Sequence, residues 1–152
     1  LVRYNAAMAR ETEGRELDRA RLAAGIHAVL AEGPDGQRGL RGAYRVAQDG
    51  DRPVGALLVT REWSDWRNAW FWWIQSVYVE PAARRRGVLA ALYRAVLSEA
   101  RERGDVCGVR LYVEAANAGA QAAYRRLGME ASSYRMMEVD LGSDAHGEPR
   151  RE

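Results

Sequence analysis

Across a single proline, Pro81, the hydrophobic period of this chain changes from two to 3.6, and that change demands a strand, a turn and a helix in succession. The stretch Ala69–Val79 is dense in aromatic and β-branched residues and reads as a strand. Alternation along it puts Trp70 and Trp72 on one face and Phe71 and Trp73 on the other. Pro81 cannot donate to a ladder and stops the strand. From residue 87 to 103, Leu89, Leu92, Tyr93, Val96 and Leu97 recur at helical spacing, and Gly104 stands where such a helix stops.

The other elements arrange themselves around that unit. Residues 2–13 and 18–32 read as two helices, the second capped by Asp18 and ended by Gly33-Pro34-Asp35-Gly36. A strand is expected near Gly42–Gln48, followed by the hairpin signal Asp49-Gly50-Asp51 and a returning strand at Val54–Glu62. After the long helix come a strand at Val106–Val113, a short helix at Ala118–Leu127 closed by Gly128, and a last strand at Tyr134–Leu141. The length of 152 residues suits one domain, expected over 1–141, with 142–152 as a charged, disordered tail.

Composition narrows the function less than the pattern does. A net charge of +2 does not by itself imply a nucleic-acid or membrane partner. No stretch approaches the apolar length of a membrane span, and no signal peptide is visible. All 23 basic residues are arginine, as codon bias in a GC-rich genome would give. Cys107 is the one cysteine, so an internal disulfide is impossible and a reducing cytoplasmic setting is expected. It lies in an apolar strand without a basic neighbour and reads as a small buried hydrophobe. His27 and His146 have no metal-ligand spacing, so no metal is expected.

The most informative segment runs from Val77 to Leu89, where Arg84-Arg85-Arg86-Gly87 precedes the long helix. A helix start offers unpaired N–H groups and partial positive charge, which suit a pyrophosphate. Three arginines before a helix are equally a solvated turn, and the segment is not a P-loop, lacking the lysine and second glycine.

Together, two motifs resemble the GNAT superfamily of N-acetyltransferases. Arg84-x-x-Gly87-x-Leu89 is similar to its Arg/Gln-x-x-Gly-x-Gly/Ala signature, with Leu89 departing from the usual small residue. Asn117-x-x-Ala120-x-x-Ala123-Tyr124-x-x-Leu127-Gly128-Met129 resembles its Asn-x-x-Ala-x-x-x-Tyr-x-x-x-Gly-Phe, with methionine for phenylalanine. The stretches from Glu62 to Asn68 and from Trp72 to Val79 also resemble a recurrent subgroup of that superfamily. The resemblance implies an α/β (α+β) fold: a mixed, mostly antiparallel sheet, splayed at its centre and flanked by four helices. In that superfamily a strand precedes the first helix, whereas this chain opens on helix-like sequence at Leu1. A missing first strand is therefore expected, with the Gly42–Gln48 strand as an exposed edge.

The resemblance further implies an N-acetyltransferase that passes acetyl from acetyl-CoA to a primary amine of a small molecule or peptide. Val77, Tyr78, Val79, Arg84, Arg85, Arg86, Gly87, Val88, Leu89, Asn117 and Tyr124 would bind acetyl-CoA, with the splay near Gln75–Val79 taking its pantetheine arm. Tyr124 would protonate the leaving thiolate, and its other reading is a core tyrosine. Asn117 reads as a helix cap, a ligand contact, or both. Glu62 is the candidate general base, with Glu13 next, and its other reading is an ion pair with Arg61 or Arg67. Glu11 and Glu13 border the acceptor side in such a fold, and one or two tryptophans could offer an aromatic face to a cationic amine. A homodimer is allowed for; nucleic acid and membrane are not expected partners. The alternative is a non-catalytic acyl-CoA sensor of the same fold.

Overall fold

The computed structural model describes residues 1–31 and 41–139. Two helices open the chain, α1 (Val2–Glu13) and α2 (Arg19–Leu30). Three strands follow, β1 (Ala43–Asp49), β2 (Arg52–Ser64) and β3 (Ala69–Val79), then α3 (Val88–Arg103), β4 (Val106–Leu111) and α4 (Ala118–Arg126). The sheet order is β1-β2-β3-β4, antiparallel through β3 and parallel between β3 and β4. This is the mixed α/β sheet with four helices that the motifs imply, and among the described residues β1 is an outer strand bonded only to β2.

The core lies between the sheet and α3. Trp72 and Ile74 from β3, with Leu57 and Val59 from β2, meet Leu92, Tyr93 and Val96 of α3. Trp72, Leu57 and Val96 are the most completely buried large side chains. Truncating such a residue to alanine typically costs about 2–5 kcal/mol. The Trp72 indole N–H has no hydrogen-bond partner among the described residues, so Trp72 contributes by bulk alone. The opposite face carries α1, through Tyr4 packed on Ala56 and Tyr78. Asp18 caps α2 as its position suggests, its carboxylate accepting from the N–H groups of Ala20 and Arg21 at 2.8 and 3.0 Å.

Three expectations need correction, and others fall outside the described residues. Residues 134–139 form no strand: Tyr134 N–H bonds to the Ser132 hydroxyl at 3.0 Å. Such a local bond competes with a ladder, and among the described residues no neighbouring strand pairs here. Their side chains stand in solvent, with Met137 95% exposed. Cys107 is exposed rather than buried, because β4 is an outer strand among the described residues and Cys107 lies on its open face; its thiol donates to Trp70 C=O at 3.3 Å. β4 ends at Leu111, two residues early, which opens the sheet as described below. Gly33–Gly36, Leu141 and the 142–152 tail lie outside the described residues.

Candidate active site

Two irregularities in β3 make the site. The first is the end of its parallel pairing: Ile74–Leu111 is the last β3–β4 pair, while β3 continues beside β2 to Val79 opposite Gly55. Among the described residues, 75–79 thus have a strand on one side only. The second is a bulge, since Tyr78 pairs Ala56 and Gln75 pairs Leu58, leaving Ser76 and Val77 opposite Leu57. Ser76 takes the left-handed conformation, φ 50°, that lets the strand absorb its extra residue. The bulge reverses the alternation. Trp72 and Ile74 face α3, yet three residues on it is Val77 that packs on that cluster, and Tyr78 turns to α1.

The strand then runs into a turn built to gather N–H groups. A single 3₁₀ turn, Pro81–Ala83, leads to Arg84 in extended conformation. Arg85 (φ 62°) and Gly87 (φ 82°) are both left-handed, and α3 begins at Val88. Left-handed residues set between residues of negative φ curl successive N–H groups into an anion-binding concavity. Among the described residues no side chain caps the start of α3, so its first N–H groups have no intrahelical or capping partner there. A side-chain carbon added at Gly87 would meet no atom within 4 Å, so the space before the helix is open.

The three arginines of the turn are not equivalent. Arg84 folds back: its Nε donates to Val79 C=O at 2.9 Å, and its guanidinium reaches Glu11 of α1 at 2.5 Å. Arg86 stands 3.7 Å from Asp49, both largely exposed, a pair worth at most ~1 kcal/mol. Arg85 is exposed and makes no ion pair among the described residues.

Glu11 also accepts from the Tyr78 hydroxyl at 3.2 Å. Burial, and then the nearby Glu11 charge, push the Tyr78 phenol up from its ordinary value. Sequence reasoning set Glu11 and Glu13 side by side on one helix. The structure separates them, since Glu13 turns to Arg15 at 3.7 Å while Glu11 reaches the open segment of β3. The available signal was spacing, because Glu11 lies seven residues after Tyr4, on the same helix face, and Tyr4 packs on Tyr78 with ring centroids 5.1 Å apart.

Tyr124 and Asn117 sit on α4. Asn117 caps the helix, its Oδ1 accepting from Ala120 N–H at 2.9 Å. Tyr124 is half-buried, and burial raises its phenol above the ordinary value, so it holds its proton across neutral pH. It lines a cleft of about 520 Å³ with Trp73, Arg110, Leu111 and Tyr112. Leu111 is the last paired residue of β4, so Tyr124 shares its cleft with the point where the strands part.

Glu62 lies elsewhere. It pairs with Phe71, four residues before Gln75, so its backbone is ~13 Å from the open segment at about 3.3 Å per residue. One carboxylate oxygen accepts from the Trp73 indole at 2.6 Å, the other from Arg110 at 3.1 Å. The ion pair is therefore with Arg110 of β4, not Arg61 or Arg67 of its own hairpin. Both partners of Glu62 line the Tyr124 cleft. No cluster of His, Cys, Asp and Glu able to hold a metal occurs among the described residues, and no helix there is long and apolar enough to cross a membrane.

Comparison with known proteins agrees with this geometry. Residues 10–129 match the model of the Acetyltransferase (GNAT) family. A possible acetyltransferase from Clostridium difficile 630 shares 37% identity at a TM-score of 0.84, over 93% of this chain and 90% of that one. A GCN5-related N-acetyltransferase from Ralstonia eutropha JMP134 superimposes with a TM-score of 0.66 at 24% identity, over 91% and 89% of the two chains. Glucosamine-6-phosphate N-acetyltransferase from Arabidopsis thaliana shares the fold at 13% identity and a TM-score of 0.62, covering 91% and 93%. No curated protein matches the chain. A family match across most of the chain, a relative at this identity, and a sheet that parts beside an uncapped helix all agree: the chain belongs to the GNAT acetyltransferase family.

Proposed function

We propose that the chain is an acetyl-CoA-dependent N-acetyltransferase, with residues 1–141 acting as one acyltransferase domain. The observation that carries this reading is the unpaired side of β3 at 75–79, leading without interruption into the turn at 84–89. An extended pantetheine arm would pair with the strand backbone at Val77, Tyr78 and Val79 as an added strand does. The pyrophosphate would sit on the N–H groups of Gly87, Val88 and Leu89, with Arg85 and Arg86 in reach and Arg84 holding the turn to α1. Asn117 keeps α4, and with it Tyr124, in place beside the thioester.

A direct transfer needs no covalent enzyme intermediate. The neutral amine bonds to the thioester carbonyl carbon, a backbone N–H of the open β3 segment stabilises the oxyanion, and the carbon–sulfur bond breaks. Tyr124 gives its proton to the departing thiolate and regains one from solvent. The amine's proton leaves through water toward Glu62, whose partners Trp73 and Arg110 line the cleft. The acceptor is a primary amine of a small molecule or peptide.

Steady-state release of free thiol from acetyl-CoA, measured with a panel of amines, tests this reading. Release that depends on both acetyl-CoA and an amine is the expected result. Tight acetyl-CoA binding with no release across the panel would overturn catalysis and leave an acyl-CoA sensor of the same fold.

A further inference from the structure

The walls of the Tyr124 cleft carry a charge pattern that the transfer chemistry does not require. Three arginines line it, Arg110, Arg125 and Arg135, against a single carboxylate, Glu130. Arg110 is already balanced by Glu62. Arg125 and Arg135 lie in no ion pair among the described residues. Arg125 is nevertheless held in place: its guanidinium donates to Gln121 Oε1 at 3.2 Å, and Gln121 Nε2 donates to the carbonyls of Glu114 and Ala115 at 3.2 and 2.9 Å. A guanidinium that lines a concave site and has no ion pair among the described residues can take a carboxylate in a bidentate grip.

The same cleft has an aromatic floor. Trp73 and Tyr112 stack with centroids 4.4 Å apart and an interplanar angle of 26°. Tyr112 is 60% exposed, so one broad ring surface remains open to a ligand. Glu62 holds the Trp73 indole N–H, which fixes the plane of that platform. A volume of about 520 Å³ accommodates a small molecule and is narrow for a folded protein surface.

We infer that the amine acceptor carries both a planar ring and a carboxylate, the ring lying on the open face of Tyr112, which Trp73 backs, and the carboxylate on Arg125 and Arg135. This rests on the acetyltransferase reading for calling the ligand an acceptor; the binding site itself does not depend on turnover. Binding can accordingly be measured without chemistry. Tryptophan fluorescence of the whole chain, titrated with L-phenylalanine, phenethylamine and L-alanine, isolates the ring and the carboxylate. Phenylalanine should bind at least about three-fold more tightly than either analogue, since an exposed charged pair and a stacked ring each contribute on that order. The Arg125→Ala, Arg135→Ala double variant should bring phenylalanine down to the level of phenethylamine while acetyl-CoA affinity stays constant, which shows that the variant is folded. Equal binding of phenylalanine and phenethylamine by the natural chain, or full discrimination in the double variant, would overturn the inference. Discrimination without thiol release would instead refute the acetyltransferase reading and leave this site standing; thiol release from neutral amines with no discrimination would do the reverse.

Discussion

At the carboxyl end of β3, Glu11 accepts one hydrogen bond from the Tyr78 hydroxyl and one from Arg84. At the amino end, Glu62 accepts one from the Trp73 indole and one from Arg110. Each glutamate thus joins an aromatic donor to an arginine, yet the settings differ. Glu62, Trp73 and Arg110 belong to three adjacent strands of a fully bonded sheet, so their contacts decorate a ladder that already exists. Glu11 comes from a helix, 67 residues from Tyr78 and 73 from Arg84, and it ties α1 to a strand that has lost a neighbour. The lesson is that one three-part contact fixes a surface platform where backbone pairing is complete and holds a binding turn in shape where it is not.

The comparison makes the two ends separable by mutation, with Tyr124 between them. Tyr124→Phe keeps the ring and removes the proton donor, so kcat should fall about 10²–10⁴-fold with the acetyl-CoA KM nearly constant. Steady-state kinetics with chemistry shown to be rate-limiting would decide this, and an unchanged kcat would remove Tyr124 from the mechanism.

Glu11→Ala should act on the cofactor end alone. Freed from its carboxylate, Arg84 loses one of the two bonds that hold the turn, and the acetyl-CoA KM should rise about five-fold, as expected for roughly 1 kcal/mol from a part-exposed ion pair. If the KM for acetyl-CoA is unmoved while that for the amine rises, the two ends have been assigned the wrong way round.

Glu62→Gln should leave acetyl-CoA binding untouched and lower kcat/KM for the amine about 10²-fold at neutral pH, the low end of general-base effects, because the proton travels through water. The loss should shrink at high pH, where the amine is already neutral. A loss that is flat across pH would make Glu62 a positioning residue for Trp73 and Arg110.

The smallest effect is on stability at alkaline pH. Burial raises the phenols of Tyr4, Tyr78, Tyr93 and Tyr124. In this state each keeps a proton that the unfolded chain releases near pH ~10, so folding binds protons there. Their contribution is complete below about pH 10 and is lost as pH rises through the folded values. The chain contains no lysine, so tyrosine dominates titration in that range. The urea midpoint should fall between about pH 9 and pH 11, in step with tyrosine absorbance; a midpoint rising over that interval would contradict the assignment.

Much of this arrangement was legible in the chain itself. β3 and α3 stand out because the hydrophobic period changes across Pro81, and Asp18 and Asn117 announce their helices through short-range capping. What was hidden depends on distant contacts. Which of Arg84, Arg85 and Arg86 folds back is decided by where α1 lands, not by the turn. The reversal of alternation at Val77 and Tyr78 needs the bulge opposite Leu57, which no local pattern encodes. Cys107 is apolar in its neighbours but exposed by its place in the strand order. Tyr134–Val139 has the composition of a strand and joins no ladder among the described residues.

The central claim is that the open segment of β3 and the turn after it hold acetyl-CoA. Calorimetric titration of acetyl-CoA into the natural chain and into Gly87→Trp tests it most directly. The indole would occupy the open space before α3, at a position whose φ of 82° already disfavours a side chain. A circular dichroism melt confirms that the variant is folded. The account predicts saturable binding to the natural chain and a loss of at least about 100-fold in the folded variant, in line with the several N–H contacts removed at once. Equal affinity in the two proteins would contradict it.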